Sequence, residues 1–381
     1  MATMAVIENP NGDPTAALRV FFRKLLDEGL VDALLLPCEI GDGAVMPMLI
    51  SESGRLDAAA PLAPAFPLNA ASLVATLTDG APGGRVAALL RPCEIRAFVE
   101  LCKLNQGVRE SVLVIGLDCL GAFDNDGFRR IAGSDVAAAT RTYVQERLAD
   151  LSSREDGDAA IAPACRVCEH VTPDGADVVL TLFGSTPADN LTAMARTAQG
   201  QALLDGLKLP EAAEPEKRAA VVAGLVSRRT VARDAMFERT GRVTGSIADL
   251  ATYLSHCVNC QNCRNACPVC YCRECVFKTD VFEYKPWRYL RWAKQRGAMR
   301  MPADTVFFHL TRLAHMSTAC IGCGQCSNAC PNDIPVMELF RTVAARTQAA
   351  FEYEPGRDIN EAPPLSVFAE REFAEMTGEG D

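Results

Sequence analysis

The stretch Cys257-Val258-Asn259-Cys260-Gln261-Asn262-Cys263-Arg264-Asn265-Ala266-Cys267-Pro268 decides most of what this chain can be, and its pattern occurs twice. The second copy sets Cys320, Cys323, Cys326, Cys330 and Pro331 at the same spacing. Three thiolates at steps of three residues wrap one corner of an iron–sulfur cube. The fourth, followed by a proline that stops the helix continuing, points away and ligates the other cube of a pair. One cluster is therefore expected on Cys257, Cys260, Cys263 and Cys330, and the other on Cys320, Cys323, Cys326 and Cys267. Structural zinc also uses paired Cys-x-x-Cys, but a tetrahedral ion closes with four ligands, and each run already offers four in a spacing that zinc ribbons do not use. Disulfides are disfavoured, because the chain opens without the basic segment, apolar stretch and small-residue cleavage site of an exported protein.

Composition narrows the class further. The 381 residues, 49% hydrophobic, suffice for two or three domains with real cores. A formal net charge of -10 argues against nucleic acid, whose backbone needs a basic face. No apolar run reaches the length of a membrane span, so direct membrane insertion is not expected. Seventeen cysteines in what is expected to be a cytoplasmic, reducing compartment point to metal.

Three regions are expected: an α/β domain at 1–215, a mainly helical two-cluster domain at 216–345 and an acidic tail at 346–381. The first alternates helices with short continuous apolar strands, the pattern of a mostly parallel sheet covered on both faces. Its first helix is capped by Asp13, carries Pro14 in the first turn, repeats apolar residues at Leu18, Phe21, Phe22, Leu25 and Leu26, and ends at Gly29. Strands are expected at Val31 to Leu36, Arg85 to Leu90, Ser111 to Leu117 and Asp177 to Phe183, and Pro210 to Lys217 reads as a linker. Three of these strands run into Cys38, Cys93 and Cys119, at the strand ends where open parallel sheets bind ligands. With Cys165 and Cys168 on a loop before the fourth strand, Cys93 and Cys119 could converge around one more cluster.

The ordered segments Arg91-Pro92-Cys93-Glu94-Ile95-Arg96, Ile115-Gly116-Leu117-Asp118-Cys119 and Ala164-Cys165-Arg166-Val167-Cys168-Glu169 resemble the beta subunits of coenzyme F(420)-reducing hydrogenases and formate dehydrogenases. The later Cys257 to Cys275 run, with Cys267-Pro268-Val269-Cys270-Tyr271-Cys272-Arg273-Glu274-Cys275, resembles the formate dehydrogenase type in particular. The resemblance implies a 4Fe-4S cluster on Cys93, Cys119, Cys165 and Cys168, and commonly an FAD beside it that exchanges hydride with a deazaflavin or nicotinamide coenzyme. Members that hold FAD have a glycine-rich turn leading into the first helix. Here Asn11-Gly12-Asp13-Pro14-Thr15-Ala16-Ala17-Leu18 carries one glycine, so tightly bound FAD is not expected.

Other cysteines call for separate readings. Cys102 lies among Ile95, Phe98 and Val99 at helical spacing and reads as core. Cys270, Cys272 and Cys275 could hold a fourth cluster or a zinc if a further ligand, Cys38 or His256, came near. His309 and His315, flanking Arg312, read as packed or solvated rather than ligating. The runs stand 63 residues apart, and helical spacing at Trp287, Leu290 and Trp292 and again at Phe307, Leu310, Leu313 and Ala314 makes the connection helical. The tail from Phe351 is acidic, proline-bearing and expected to be solvated or ordered only against a partner.

These readings converge on an electron-relay subunit with three, or at most four, 4Fe-4S clusters. It would join a donor subunit of the formate dehydrogenase or hydrogenase kind to an acceptor subunit, such as one like heterodisulfide reductase. The rival reading is an FAD-bearing subunit that itself reduces or oxidises a nicotinamide or deazaflavin coenzyme. No nucleophile and base pair and no GxGxxG after a strand suggests other chemistry.

Overall fold

The computed structural model describes residues 4–80, 83–155, 157, 160–272, 274–279, 284–301 and 304–366. In chain order, the elements up to the first strand-end cysteines are β1 (Met4–Ile7), α1 (Pro14–Asp27), β2 (Ala33–Gly41), β3 (Ala44–Ile50), α2 (Ala71–Leu77), β4 (Val86–Leu90), α3 (Pro92–Lys103) and β5 (Val112–Leu117). There follow α4 (Asn125–Ala132), α5 (Val136–Ala149), α6 (Pro163–Arg166), β6 (Val178–Thr181), β7 (Leu191–Ala195) and α7 (Ala198–Leu207). The remainder is helical: α8 (Arg218–Val243), α9 (Ile247–Tyr253), α10 (Asn262–Asn265), α11 (Pro286–Arg296), α12 (Thr305–Met316), α13 (Gln325–Asn328) and α14 (Val336–Ala350).

The first helix forms for the reasons its sequence gives. The Asp13 carboxylate accepts from the Thr15 and Ala16 amides at 2.9 and 3.1 Å, Pro14 occupies the first turn, and Leu18, Phe21, Phe22 and Leu25 bury one face. Gly29 follows at φ +61°, a left-handed conformation that glycine adopts without a Cβ clash.

The seven strands make one sheet in the order β1-β7-β6-β5-β4-β2-β3. Its centre, β2-β4-β5-β6, is parallel, as the continuous apolar runs require, while β1, β3 and β7 pair antiparallel at the edges. One expected boundary shifts. The strand expected to stop at Leu36 runs on to Gly41 and turns through Asp42 and Gly43, at φ +51° and +69°, into β3. Cys38 is thereby placed inside a hairpin, fully buried, instead of at a strand end.

One face of the sheet buries α1, α5, α7 and Leu225 of α8. On the other face a single apolar cluster runs from Leu35, Ala88, Leu90, Ile95 and Phe98 into Phe308, Ile321, Leu339 and Phe340 of the helical region. The two-cluster region therefore rests on the sheet itself. Helices stand at both places where the sequence indicated them, but α12 buries Phe308, His309, Arg312, Leu313 and Met316 and leaves Phe307 and Leu310 exposed.

The solvated tail expected from Phe351 is corrected over its described part. Tyr353 donates to Glu100 Oε1 at 2.6 Å, the Gly356 amide donates to the same oxygen at 2.8 Å, and the Arg96 guanidinium donates to the Pro355 carbonyl at 3.0 Å. A buried acceptor on α3 thus recruits the segment; the rest of the expected tail, 367–381, lies outside the described residues.

Asp118, at the end of β5, accepts from the Leu182 and Phe183 amides at 3.0 and 3.2 Å and pairs with Arg218 at 2.5 Å. It ties the start of α8 to the sheet. Asp118→Ala leaves two amides without their acceptor and Arg218 with only the partly exposed Glu214 at 3.4 Å, and a loss of about 3–5 kcal/mol is expected in urea unfolding followed by circular dichroism.

Candidate metal centres

Cys93 sits in the first turn of α3, which Glu94 fixes by accepting from the Arg91 and Ala70 amides at 2.8 and 3.0 Å. Cys119 follows β5, its amide held by the Val171 carbonyl at 2.9 Å. Cys165 lies on the single turn of α6, and the Cys168 thiol donates to the His170 carbonyl at 3.5 Å. The structure brings these four cysteines together. Burial pushes the Cys93 thiol well up, and after Glu94 its neighbours Cys323, Cys119 and Cys168 add to the effect. Burial likewise holds Cys165 up at about 12, reinforced by Cys119 and Cys168.

The helical region gathers its eight thiols in two groups. Burial, opposed by Arg312, raises Cys263, and Cys257, Cys260 and Cys330 are the thiols beside it. Those same four cysteines line one cavity with Phe308, His309 and Ile334. The second set gathers Cys267 with the distant run: burial pushes Cys326 far up, and Cys267, Cys323 and Cys320 contribute next. Cys267 itself is held at about 12 by burial, with Arg312 opposing and Cys320 and Cys270 adding.

Two junctions join these sets. Cys93 of the α/β domain faces Cys323, and the backbone at Gly324 approaches so closely that an added Cβ would stand 2.4 Å from that of Ala164, beside Cys165. Arg341 donates to the Val167 carbonyl at 2.7 Å and pairs with Glu169, while Arg96 donates to the Ile321 carbonyl at 3.3 Å. Burial resists ionisation of Glu169, yet Arg341, His170 and Arg233 bring its carboxyl down to about 2, so these contacts persist as ion pairs. His170, buried beside Arg96, is pushed down to about 3 and stays neutral.

The remaining cysteines divide. Cys38 donates to the Leu36 carbonyl at 3.5 Å, and burial raises it to about 11. Cys102 is held at about 12 by burial. Both are packing residues. Cys270 has Cys272 and Cys275 as neighbours, while Cys38 is enclosed in the α/β core and His256 is exposed.

The donor chemistry fits iron–sulfur clusters. Thiols grouped in this way can ligate as thiolates once cationic centres enter, which reverse both effects. Among the described residues no three His, Cys, Asp or Glu side chains close up around a single metal ion. A zinc would need sulfurs about 3.8 Å apart at tetrahedral Zn–S distances, whereas a cube spreads its ligands wider. A flavin diphosphate does not fit the start of α1: Pro14 has no N–H, and the Asp13 carboxylate already takes the Thr15 and Ala16 amides that would face a phosphate.

Residues 83–219 match the family profile described as the C terminus of the coenzyme F(420) hydrogenase/dehydrogenase beta subunit, and residues 253–334 match that of a 4Fe-4S dicluster domain. The chain thus joins a domain like that of the coenzyme F(420) hydrogenase/dehydrogenase beta subunits to a 4Fe-4S dicluster domain. It is 26% identical over 376 residues to the F(420)-dependent formate dehydrogenase subunit beta of Methanocaldococcus jannaschii, covering 92% of this chain and 93% of that one. It is likewise 26% identical over 388 residues to the F(420)-dependent formate dehydrogenase 1 subunit beta of Methanococcus maripaludis, covering 94% of each. A chain from the xenon-derivatized F(420)-reducing [NiFe] hydrogenase complex of Methanosarcina barkeri superposes with TM-score 0.46 at 15% identity, over 65% of this chain and 93% of that one. Among the described residues no helix is long and apolar enough to cross a membrane.

Sequence reasoning overlooked the arginines around the thiols. Arg229 is buried beside Cys119 and Cys165, Arg341 and Arg96 beside Cys320, and Arg312 beside Cys263 and Cys267. Spacing could have found one of them, since Phe308, Arg312 and Met316 fall on one face of α12 at helical intervals.

Proposed function

We propose that this chain is a cytoplasmic iron–sulfur relay subunit of a multisubunit oxidoreductase, linking a low-potential donor subunit of the formate dehydrogenase or hydrogenase kind to an acceptor subunit. The observation that carries this reading is the Cys93 to Cys323 junction, where the α/β thiol set adjoins the two-cluster region. In this reading Cys93, Cys119, Cys165 and Cys168 hold one 4Fe-4S cluster, Cys267, Cys320, Cys323 and Cys326 the second, and Cys257, Cys260, Cys263 and Cys330 the third. Bound clusters supply reversible one-electron storage.

The residues of this chain determine what that storage can serve. Cys93, Cys323 and Cys326 are half-buried, while Cys260 is exposed and gives the third set a rim at the surface. A lone cluster can exchange electrons at one surface; three adjoining sites running from a sheet to an exposed rim can span the distance between two partners. The capped start of α1 supports leaving FAD out of the reading, and hydride chemistry with it.

Anaerobic chemical analysis of the purified chain should find about twelve iron and twelve labile sulfides, four of each per complete thiol set, and no stoichiometric flavin after mild acid extraction. Stoichiometric zinc with about eight iron or fewer would remove the α/β cluster, and one FAD per chain would restore the coenzyme-reducing alternative.

Cys93→Ser tests the relay. In an assembled complex it should abolish donor-to-acceptor turnover while the donor subunit still reduces an artificial dye. Full turnover in a variant shown spectroscopically to lack the α/β cluster would place that domain off the path.

A further inference from the structure

Arg312 lies on the buried face of α12 and is 4% exposed, yet among the described residues no carboxylate pairs with it. Its Nη1 donates to Cys263 Sγ at 3.1 Å and its Nη2 to the Cys263 carbonyl at 3.2 Å. The guanidinium lies 4.6 Å from the centre of the Phe340 ring and 5.6 Å from that of Phe308, and its Nε has no partner. A buried cation in such surroundings is costly unless a negative group compensates it. The negative charge available to it is that of thiolates at a loaded cluster. The same guanidinium acts on Cys263 of one set and on Cys267, Cys320 and Cys326 of the other.

Building on the cluster reading above, we propose that Arg312 is a potential-setting positioning residue. Its hydrogen bond to the Cys263 sulfur and its uncompensated charge raise the reduction potential of the cluster held by Cys257, Cys260, Cys263 and Cys330. Reduction adds one electron to an already anionic centre, so a fixed cation beside a ligand sulfur favours the reduced form. The effect is strongest on the set Arg312 touches and weaker on the set it only faces. It thereby fixes the potential difference across the junction of the two sets, where α10 carries Cys263 and leads into Cys267.

The test is an anaerobic potentiometric titration of the full chain by electron paramagnetic resonance, comparing wild type with Arg312→Met and Arg312→Lys. The relevant couple is assigned as the signal that Cys260→Ser alters, and the α/β couple serves as an internal reference. In Arg312→Met the ratio of reduced to oxidised cluster at a fixed potential should fall at least tenfold, which is 59 mV for a one-electron couple. Arg312→Lys, which keeps the charge, should fall less, and the reference should not move. An unmoved midpoint in Arg312→Met with cluster content retained would overturn the proposal. So would loss of this cluster from both variants, because Arg312 would then hold the site together instead of setting its potential. A wild-type chain without any dicluster signal would instead defeat the cluster reading on which the proposal rests.

Discussion

A thiol withdrawn from water resists ionisation, and thiols packed beside one another resist it more strongly. This chain gathers most of its cysteines, half-buried, in groups on a sheet face and in a helical region that share one apolar core. Such groups can act together as thiolate ligands only if positive charge enters them. The surrounding structure follows from that requirement. Arginines are buried beside the thiols, among them Arg229 at 1% exposure, 3.9 Å from Glu155, and Arg312 at 4%, with no carboxylate partner among the described residues. Elsewhere in the protein buried cations are paired in the ordinary way, as Lys103 is with Glu100 at 3.2 Å.

The same requirement explains why the two regions are fused face to face. A cluster site at the end of a parallel sheet stands at a crevice. Here the crevice is closed by the Cys323-Gly324 turn, whose left-handed glycine at φ +82° lets backbone reach Ala164. The ion pairs of Glu169 with Arg233 and Arg341 and the Arg96 hydrogen bonds clamp this closure from the side, and the 351–366 segment covers α3 behind it. The interface is thus built from the residues next to the ligating positions. That is the arrangement expected when two sites must keep a fixed separation.

Much of this was legible in the chain. Asp13, Pro14 and Gly29 marked the limits of α1, and continuous apolar runs located the parallel centre of the sheet. The crossed assortment of Cys267 and Cys330 followed from spacing and proline alone, and the folded chain brings each to the distant run. The edges were harder. β1 and β7 are only 4 and 5 residues long, too short for periodicity, and β3 contains Pro47 on an edge. The Asp42-Gly43 turn did signal the hairpin and was passed over, which is why Cys38 was expected at a strand end. Helical spacing could place Arg312 on the buried face of α12, but its role depends on which sulfur the tertiary packing brings to it.

The central claim is that the α/β thiol set and the two-cluster region form one continuous array of redox centres. Magnetic coupling measures this directly. When the chain is fully reduced, the paramagnetic resonance signal of the α/β cluster should be broadened by dipolar interaction with the neighbouring cluster on Cys267, Cys320, Cys323 and Cys326. The broadening should vanish at potentials that oxidise that neighbour. A sharp α/β signal, indifferent to the redox state of the rest of the chain, would contradict the account.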